Sequence, residues 1–218
     1  MKTALIFGSS GLIGSQILKL LINDDNYNKI KIFVRSAQEI NVPKVEMILT
    51  DFKNLDNYKD NIKGDDCYFC IGTTKKNTPD KNEYRRIEYN IPVEVAKIAK
   101  SNSIKSFIYV SSGFADPNSS GDYLKNKGEA EEELKKLNFT NLVIMRPAFL
   151  MGNRKEKRIG EKLGLIFFKI ISPLFLGKLK KMKPIHSEFV ARAMIKVANN
   201  NFQKTIFESN EIVELNNS

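Results

Sequence analysis

The chain has 218 residues, 42% of them hydrophobic, which is enough to bury a substantial core within one domain. Its two cysteines, Cys67 and Cys70, exclude a disulfide framework and, with the single histidine His186, argue against a zinc site, so we expect no metal and predict a cytoplasmic location. The net charge of +10 attracts phosphate groups, but no nucleic-acid-binding motif accompanies it. We therefore predict a solvated, lysine-rich surface and no nucleic-acid partner.

Strand-like apolar runs alternate with helical patterns along most of the chain. The predicted strands lie near 3–8, 30–34, 45–49, 66–71, 105–111 and 141–146, and the predicted helices near 12–23, 80–101 and 122–137. Beyond Pro147 the alternation weakens, and we expect helices near 160–171 and 187–199 and a last strand near 204–208. This order predicts an α/β fold, a doubly wound parallel sheet (Rossmann fold) in three α/β/α layers.

Two details refine this prediction. Pro92 lies inside the helical pattern over 80–101, so that helix is expected to kink or to begin anew there. Cys67 and Cys70 are three residues apart in an apolar strand, where such side chains point to opposite faces. This placement favours packing in the core over redox or metal chemistry.

The first predicted strand runs directly into three glycines and then into an amphipathic helix. This order is typical of a pyrophosphate site for a dinucleotide, in which the glycines allow a tight turn, a close approach of the ligand and close packing of helix on strand. A tight turn without a ligand is the alternative. The residues expected to contact the cofactor here are Gly8, Ser10, Gly11, Leu12, Ile13 and Gly14.

The end of the second strand selects between the two nicotinamide dinucleotides. An acidic residue there binds the ribose hydroxyls of NAD(H), whereas an arginine accommodates the 2′-phosphate of NADP(H). The chain carries Arg35, followed by Ser36. We therefore predict NADP(H) rather than NAD(H), the alternative being that Arg35 only ends a surface strand.

Two further strand ends belong to the same edge of the predicted sheet. Because ligands lie beyond the carboxyl ends of parallel strands, residues there are expected near the adenine and its ribose. They are Asp51 and Phe52 after the third strand, and Ile71, Gly72 and Thr73 after the fourth. Asp51 also suits the N-cap of the short segment that follows it.

The fifth strand ends in Ser111 and Ser112, and the next helix carries Tyr123 and Lys127. Residues at i and i+4 share one helical face, so this tyrosine and lysine can contact the same ligand. A nearby cation favours the ionised phenol and suits it to proton transfer, and a serine hydroxyl can hold a carbonyl oxygen. The alternative is an ordinary exposed helix face.

With these motifs in this order, nearly the whole chain resembles the short-chain dehydrogenase/reductase superfamily. The runs at 70–74, 127–131 and 146–150 resemble its atypical branch, which contains the Tat-interacting oxidoreductase-like proteins and other NAD(P)H-binding members. The resemblance implies an NADPH-dependent oxidoreductase that reduces a carbonyl or oxidises an alcohol. It also leaves open a dinucleotide-binding regulator or redox sensor without turnover, and an enzyme similar to nucleotide-sugar epimerases or dehydratases.

The same resemblance implies roles for particular residues. Tyr123 would exchange a proton with the substrate oxygen, Lys127 would bind the nicotinamide ribose, and Ser112, in preference to Ser111, would orient the substrate. The residues implied to contact the cofactor near its nicotinamide are Ser111, Tyr123, Lys127, Pro147 and Phe149.

Residues 150–200 are expected to form a small substrate-side segment within a single NAD(P)-binding domain over 1–218. The apolar run over 163–171 would suit a hydrophobic substrate, or it would cover the sheet edge or a dimer contact. The longest apolar stretch, 163–176, is shorter than a membrane span, and membrane contact through the lysines over 178–183 is not expected. The expected partner is thus a small carbonyl or alcohol substrate. The protein itself is expected to be a monomer or a homodimer.

Overall fold

The computed structural model describes residues 1–151, 184–200 and 202–217. Its centre is a seven-stranded sheet in which all neighbouring strands are parallel. The strands are β1 (Lys2–Phe7), β2 (Tyr27–Val34), β3 (Val45–Leu49), β4 (Asp66–Phe69), β5 (Ser106–Val110), β6 (Asn141–Arg146) and β9 (Ile206–Glu208), arranged in the order β3-β2-β1-β4-β5-β6-β9. A separate parallel pair is formed by β7 (Phe149–Met151) and β8 (Pro184–His186).

Helices cover both faces of the sheet. They are α1 (Gly14–Ile22), α2 (Lys81–Arg85), α3 (Ile91–Ser101), α4 (Asp122–Lys136), α5 (Ser187–Asn199) and α6 (Ser209–Asn217). Short 3₁₀ and π-helical segments span Leu55–Tyr58 and Arg86–Asn90. Two apolar clusters result, one beneath α1, α5 and α6 and the other beneath α3 and α4.

Successive side chains of β1 point to opposite faces of the sheet, and both faces are buried, which explains its continuous apolar run. Ala4 and Ile6 belong to one cluster, whereas Leu5 and Phe7 belong to the other, and all four are fully buried. A strand covered on both faces has no polar side. The predicted doubly wound α/β fold is therefore confirmed.

The order of the strands determines where a ligand can bind. The chain proceeds outward from β1 to β2 and β3, then returns to place β4 on the other side of β1. The connections on the two sides of β1 leave toward opposite faces, which opens a crevice at the carboxyl ends of β1 and β4. The candidate site residues are drawn from loops at this edge.

The elements predicted within the described residues are confirmed with small shifts of their ends, and the helix expected over 80–101 shows the largest difference. It consists of α2, the π-helical segment and α3, with Pro92 in the first turn of α3. A proline has no N–H to donate, so it is tolerated in a first turn. The helix was expected to kink or to begin anew at Pro92; the structure has a π-helical interruption immediately before it, and the backbone stays helical from α2 to α3. The sequence analysis did not predict β7, β8 or α6. The helix expected over 160–171, the apolar run over 163–171 and the lysines over 178–183 lie outside the described residues.

Cys67 and Cys70 pack as predicted. Both thiols are free, and the two side chains contact opposite apolar clusters. Burial raises the pKa of both thiols, so each is held in its protonated and unreactive form. Within residues 1–151, 184–200 and 202–217, no cluster of three or more histidine, cysteine or acidic side chains has metal-binding geometry. None of the helices described there is both long and apolar enough to cross a bilayer.

Candidate functional site

The loop between β1 and α1 is shaped by its glycines. Gly8 has a φ of +91°, which L-residues rarely adopt, and a Cβ there would lie 2.9 Å from the carbonyl carbon of Cys70. A Cβ on Gly14 would lie 2.1 Å from the carbonyl oxygen of Gly8, so helix and loop pack too closely for any side chain. The first turn of α1 contains no acidic residue. Its free N–H groups and positive dipole end therefore suit the phosphates of a dinucleotide.

One cleft follows the carboxyl edge of the sheet and brings most of the predicted site residues together. Those that line it are Gly8, Ser10, Gly11, Leu12, Ile13, Arg35, Phe52, Ile71, Gly72, Thr73, Ser111, Ser112, Tyr123, Lys127, Pro147 and Phe149. Three predicted residues are absent from this lining, for different reasons. Gly14 faces the glycine loop, Ser36 is exposed, and the Asp51 carboxylate accepts a hydrogen bond from the N–H of Lys53 at 2.9 Å.

Ser9 belongs to the cleft although the sequence analysis passed over it. Ser9 is 2% exposed, and its hydroxyl has no hydrogen-bond partner among the described residues. A buried polar group without a partner is costly unless a ligand or water satisfies it. With the glycine turn and the free end of α1, this hydroxyl fits the pyrophosphate of a dinucleotide.

The part of the cleft beside the end of β2 is basic. Arg35 is exposed, and its guanidinium makes no ion pair with any described residue. Arg86, which the sequence analysis did not single out, binds both carboxylate oxygens of Glu83 at 2.6 and 2.7 Å and donates to the carbonyl oxygen of Phe52 at 2.7 Å. The hydrogen bonds from Arg86 lower the pKa of the Glu83 carboxyl, so Glu83 is ionised. The positive charge of Arg86 balances the negative charge of Glu83. Arg35 thus remains available for a phosphate.

Tyr123 and Lys127 lie one turn apart on α4 but differ in exposure. The Tyr123 side chain is 38% exposed and lines the cleft. Lys127 is 3% exposed, and its ammonium lies 3.0 Å from Glu88 Oε2, 3.1 Å from the hydroxyl of Tyr109 and 3.2 Å from the carbonyl oxygen of Val110. Burial favours the neutral amine, but Glu88 and the hydrogen bond to Tyr109 outweigh it and hold the pKa of Lys127 well above its ordinary value. Lys127 is therefore a permanent buried cation.

Glu88 is the principal residue that the sequence analysis missed. It lies in the π-helical segment, is fully buried, and accepts a hydrogen bond from the N–H of Thr73 at 2.6 Å in addition to its ion pair with Lys127. π-Helical turns are frequent at functional sites. A signal was present in the sequence, because Glu88 lies four residues after Tyr84 and three before Ile91, on the inward face of the helical pattern.

The two serines after β5 have different surroundings. The hydroxyl of Ser111 donates to the carboxylate of Glu131, which is also bound by Arg146 through Nε at 2.9 Å. The hydroxyl of Ser112 contacts only the carbonyl oxygen of Gly113, at 3.2 Å, among the described residues. The hydroxyl of Ser111 is thus used to bind a buried ion pair, whereas Ser112 is the better placed of the two to bind a substrate oxygen.

Three comparisons place the chain among known proteins. A family model described as NAD(P)H-binding matches residues 8–201. The protein FMP52-1, mitochondrial, of Scheffersomyces stipitis is 30% identical over 98% of both chains, and the protein HTATIP2 of Rattus norvegicus is 33% identical over 77% of this chain and 70% of its own length. The enzyme WbmH of Bordetella bronchiseptica, solved in complex with NAD⁺, has a TM-score of 0.73 at 17% identity, covering 95% of this chain and 75% of that one.

The comparisons correct one prediction. The cytoplasmic location is contradicted, because FMP52-1 and further FMP52 relatives are named mitochondrial. The prediction rested on the absence of a disulfide framework, and unpaired thiols indicate reducing conditions without specifying the compartment.

Proposed function

Because the chain belongs to the NAD(P)H-binding family, with FMP52 and HTATIP2 as relatives, we propose that it is an NADPH-dependent oxidoreductase acting on a small apolar carbonyl compound or the corresponding alcohol. The observation that carries this proposal is that Tyr123 and Lys127 line the same cleft as the glycine loop. Pro147, Phe149 and Leu150 add an apolar wall to that cleft, which supports an apolar substrate.

Different residues of the chain have different roles in carbonyl reduction. NADPH, when bound, supplies a hydride to the carbonyl carbon. The hydroxyl of Ser112 binds the carbonyl oxygen, and the phenol of Tyr123 gives that oxygen its proton. The buried ammonium of Lys127 stabilises the negative charge that develops beside it during the transfer, which lowers the barrier. The unpartnered hydroxyl of Ser9 and the N-terminus of α1 would hold the pyrophosphate.

The proposal is tested by turnover. Purified protein is mixed with NADPH and a panel of apolar aldehydes and ketones, and the loss of NADPH absorbance is followed. We expect oxidation of NADPH that depends on the carbonyl compound. A protein that binds NADPH but oxidises it with no member of the panel, while alcohols and NADP⁺ also give no reaction, would contradict the proposal.

One observation favours a second function, the binding of NADPH without turnover. Lys127 is 3% exposed and directs two of its three N–H donors to Tyr109 and Val110, and it pairs with Glu88 without a hydrogen bond. A lysine held in this way interacts mainly with the protein rather than with a cofactor ribose. In a redox sensor of this kind, replacement of Tyr123 would leave the biological activity intact.

Arg35 is expected to decide the choice of cofactor. A charge-assisted hydrogen bond contributes about 1.5–3 kcal/mol, and at an exposed site we expect the lower part of that range, so Arg35→Ala should raise the Kd for NADPH roughly tenfold. The Kd for NADH should not change, because NADH has no 2′-phosphate. Isothermal titration measures both values.

A matched control is available for this prediction. Arg192→Ala removes another exposed arginine, which pairs with Glu188 on α5 and does not line the cleft. Neither Kd should change in that variant. Equal affinities of the unaltered protein for NADPH and NADH, both insensitive to Arg35→Ala, would show that the preference for NADPH is wrong.

A further inference from the structure

Glu88 places a fully buried negative charge directly behind the cleft. Its two oxygens have different partners on different elements: Oε1 accepts the N–H of Thr73 in the loop after β4, and Oε2 contacts the ammonium of Lys127 on α4. The one carboxylate therefore connects the loop on the cofactor side to the helix that carries Tyr123.

The loop after β4 and a π-helical turn lie on either side of this carboxylate. A Cβ on Gly72 would lie 3.5 Å from Glu88 Oε1, an ordinary contact, so the loop passes alongside the carboxylate. The π-helical segment lengthens one turn of backbone and ends immediately before Ile91, where α3 begins. Such a turn is a local departure from regular helix geometry, and it is frequent at functional sites.

The ammonium of Lys127 is held by this carboxylate rather than by the cleft. It donates hydrogen bonds to the hydroxyl of Tyr109 and the carbonyl of Val110, and it forms an ion pair with Glu88, the charged group among the three. A buried cation that loses its charged partner is strongly disfavoured, because desolvation is no longer offset. Without Glu88, Lys127 would be neutral or would move toward solvent.

We propose that Glu88 is a positioning residue of the oxidoreductase site, which keeps Lys127 charged and fixes α4 against the cofactor-side loop through the bond to Thr73. This inference rests on the proposed function for its catalytic consequence. The ion pair itself stands on the geometry of Glu88 and Lys127 alone.

The groups that face Lys127 determine how the site responds to pH. They come from several elements and are Cys70, Tyr84, Glu88, Tyr109 and Tyr123. Burial raises the pKa of Cys70 and Tyr84, and it raises the pKa of Tyr109 to about 12 even though the neighbouring ammonium lowers it. These three groups are therefore neutral near pH 7, and they cannot replace the charge of Glu88.

The test is Glu88→Gln, which keeps the shape of the side chain and an oxygen for the N–H of Thr73. Glu88 holds the folded-state pKa of Lys127 above its ordinary value, so removing the charge leaves burial to lower it. As the pH is raised, the activity that needs the charged lysine should then be lost at a lower pH than in the unaltered protein. We expect the alkaline limb of kcat/KM to move down by at least about one pH unit.

A second readout needs no cofactor. Protein carrying lysine labelled with ¹³C at Cε is titrated by NMR, and the Lys127 resonance is identified by its loss in Lys127→Met. In the unaltered protein this resonance should show a charged amine throughout the accessible pH range. In Glu88→Gln it should titrate below the other lysines.

Asp66→Asn is the matched control. Asp66 is 1% exposed and lies at the amino end of β4, where it binds Lys2 at 3.0 Å and the hydroxyl of Tyr27 at 2.6 Å. Its replacement also removes a buried charge from an ion pair, but at the opposite edge of the sheet. The alkaline limb and the Lys127 resonance should therefore be unchanged.

The outcomes separate this inference from the proposed function. An unaltered titration of Lys127 in Glu88→Gln overturns the inference, whether or not the protein turns over NADPH. Absence of turnover in the unaltered protein overturns the proposed function and leaves the NMR result to decide on the ion pair. If Glu88→Gln does not fold, Glu88→Gln/Lys127→Met should fold because no unpaired charge remains, and its failure to do so would also overturn the inference.

Discussion

Replacing Tyr123 by phenylalanine should lower kcat for carbonyl reduction by about 10²–10⁴-fold, the usual contribution of a positioned proton donor. The ring stays and only the hydroxyl is lost, so the affinity for NADPH should not change. The side chain is partly exposed, and its hydroxyl makes no hydrogen bond with another described residue. The free energy of unfolding should therefore be nearly unaltered. Steady-state kinetics, a fluorescence titration with NADPH and denaturant unfolding measure the three quantities.

Tyr58→Phe provides the control for this variant. Tyr58 lies in the 3₁₀ segment, packs against the cluster beneath α3 and α4, and does not line the cleft. Losing its hydroxyl should leave kcat unchanged. If Tyr123→Phe retained the full kcat of the unaltered enzyme, Tyr123 would not be the proton donor.

Replacing Gly14 by alanine should have the largest structural effect. The new Cβ would lie 2.1 Å from the carbonyl oxygen and 2.7 Å from the carbonyl carbon of Gly8, and both atoms belong to backbone. Backbone so close to a strand cannot shift cheaply, and overpacking of this kind costs about 1–3 kcal/mol or more. Any shift also moves Gly8 and Ser9, which line the cleft, so we expect at least roughly tenfold weaker NADPH binding as well as lower stability.

Gly121→Ala is the matched control, because it adds the same methyl group to another glycine at the beginning of a helix. Its backbone φ is −87°, and its Cβ would lie 3.7 Å from the hydroxyl oxygen of Ser119, which is an ordinary contact. Unfolding by denaturant and fluorescence titration with NADPH should detect little change. Equal losses in the two variants would mean that the close packing of Gly14 on Gly8 is not what the loop requires.

The sheet was predictable from the sequence because its strands are buried on both faces. Runs such as 67–71 and 107–110 contain almost no polar residue, and glycines mark the turn after β1. Local chemistry also located most of the cleft, since the carboxyl ends of parallel strands meet at one edge. The short pair of β7 and β8 was missed because each strand has three residues, too few to show a period of two.

The partners of the site residues could not be predicted, because they come from other elements. The ammonium of Lys127 contacts Glu88, Tyr109 and Val110, and none of these partners was predicted. The bond from Ser111 to Glu131 joins the end of β5 to α4 in the same way. A spacing of residues identifies a shared face, but which groups meet across the interior depends on packing that no local pattern encodes.

The transfer of a label from cofactor to product distinguishes hydride transfer from cofactor binding alone. The protein is incubated with an apolar aldehyde or ketone and NADPH that carries deuterium at the reactive carbon of its nicotinamide, using each of the two stereoisomers in turn, and the products are analysed by mass spectrometry. We expect an alcohol that carries deuterium on the former carbonyl carbon with one stereoisomer and not with the other. Recovery of unchanged carbonyl compound and intact labelled NADPH from protein shown to bind the cofactor would contradict it.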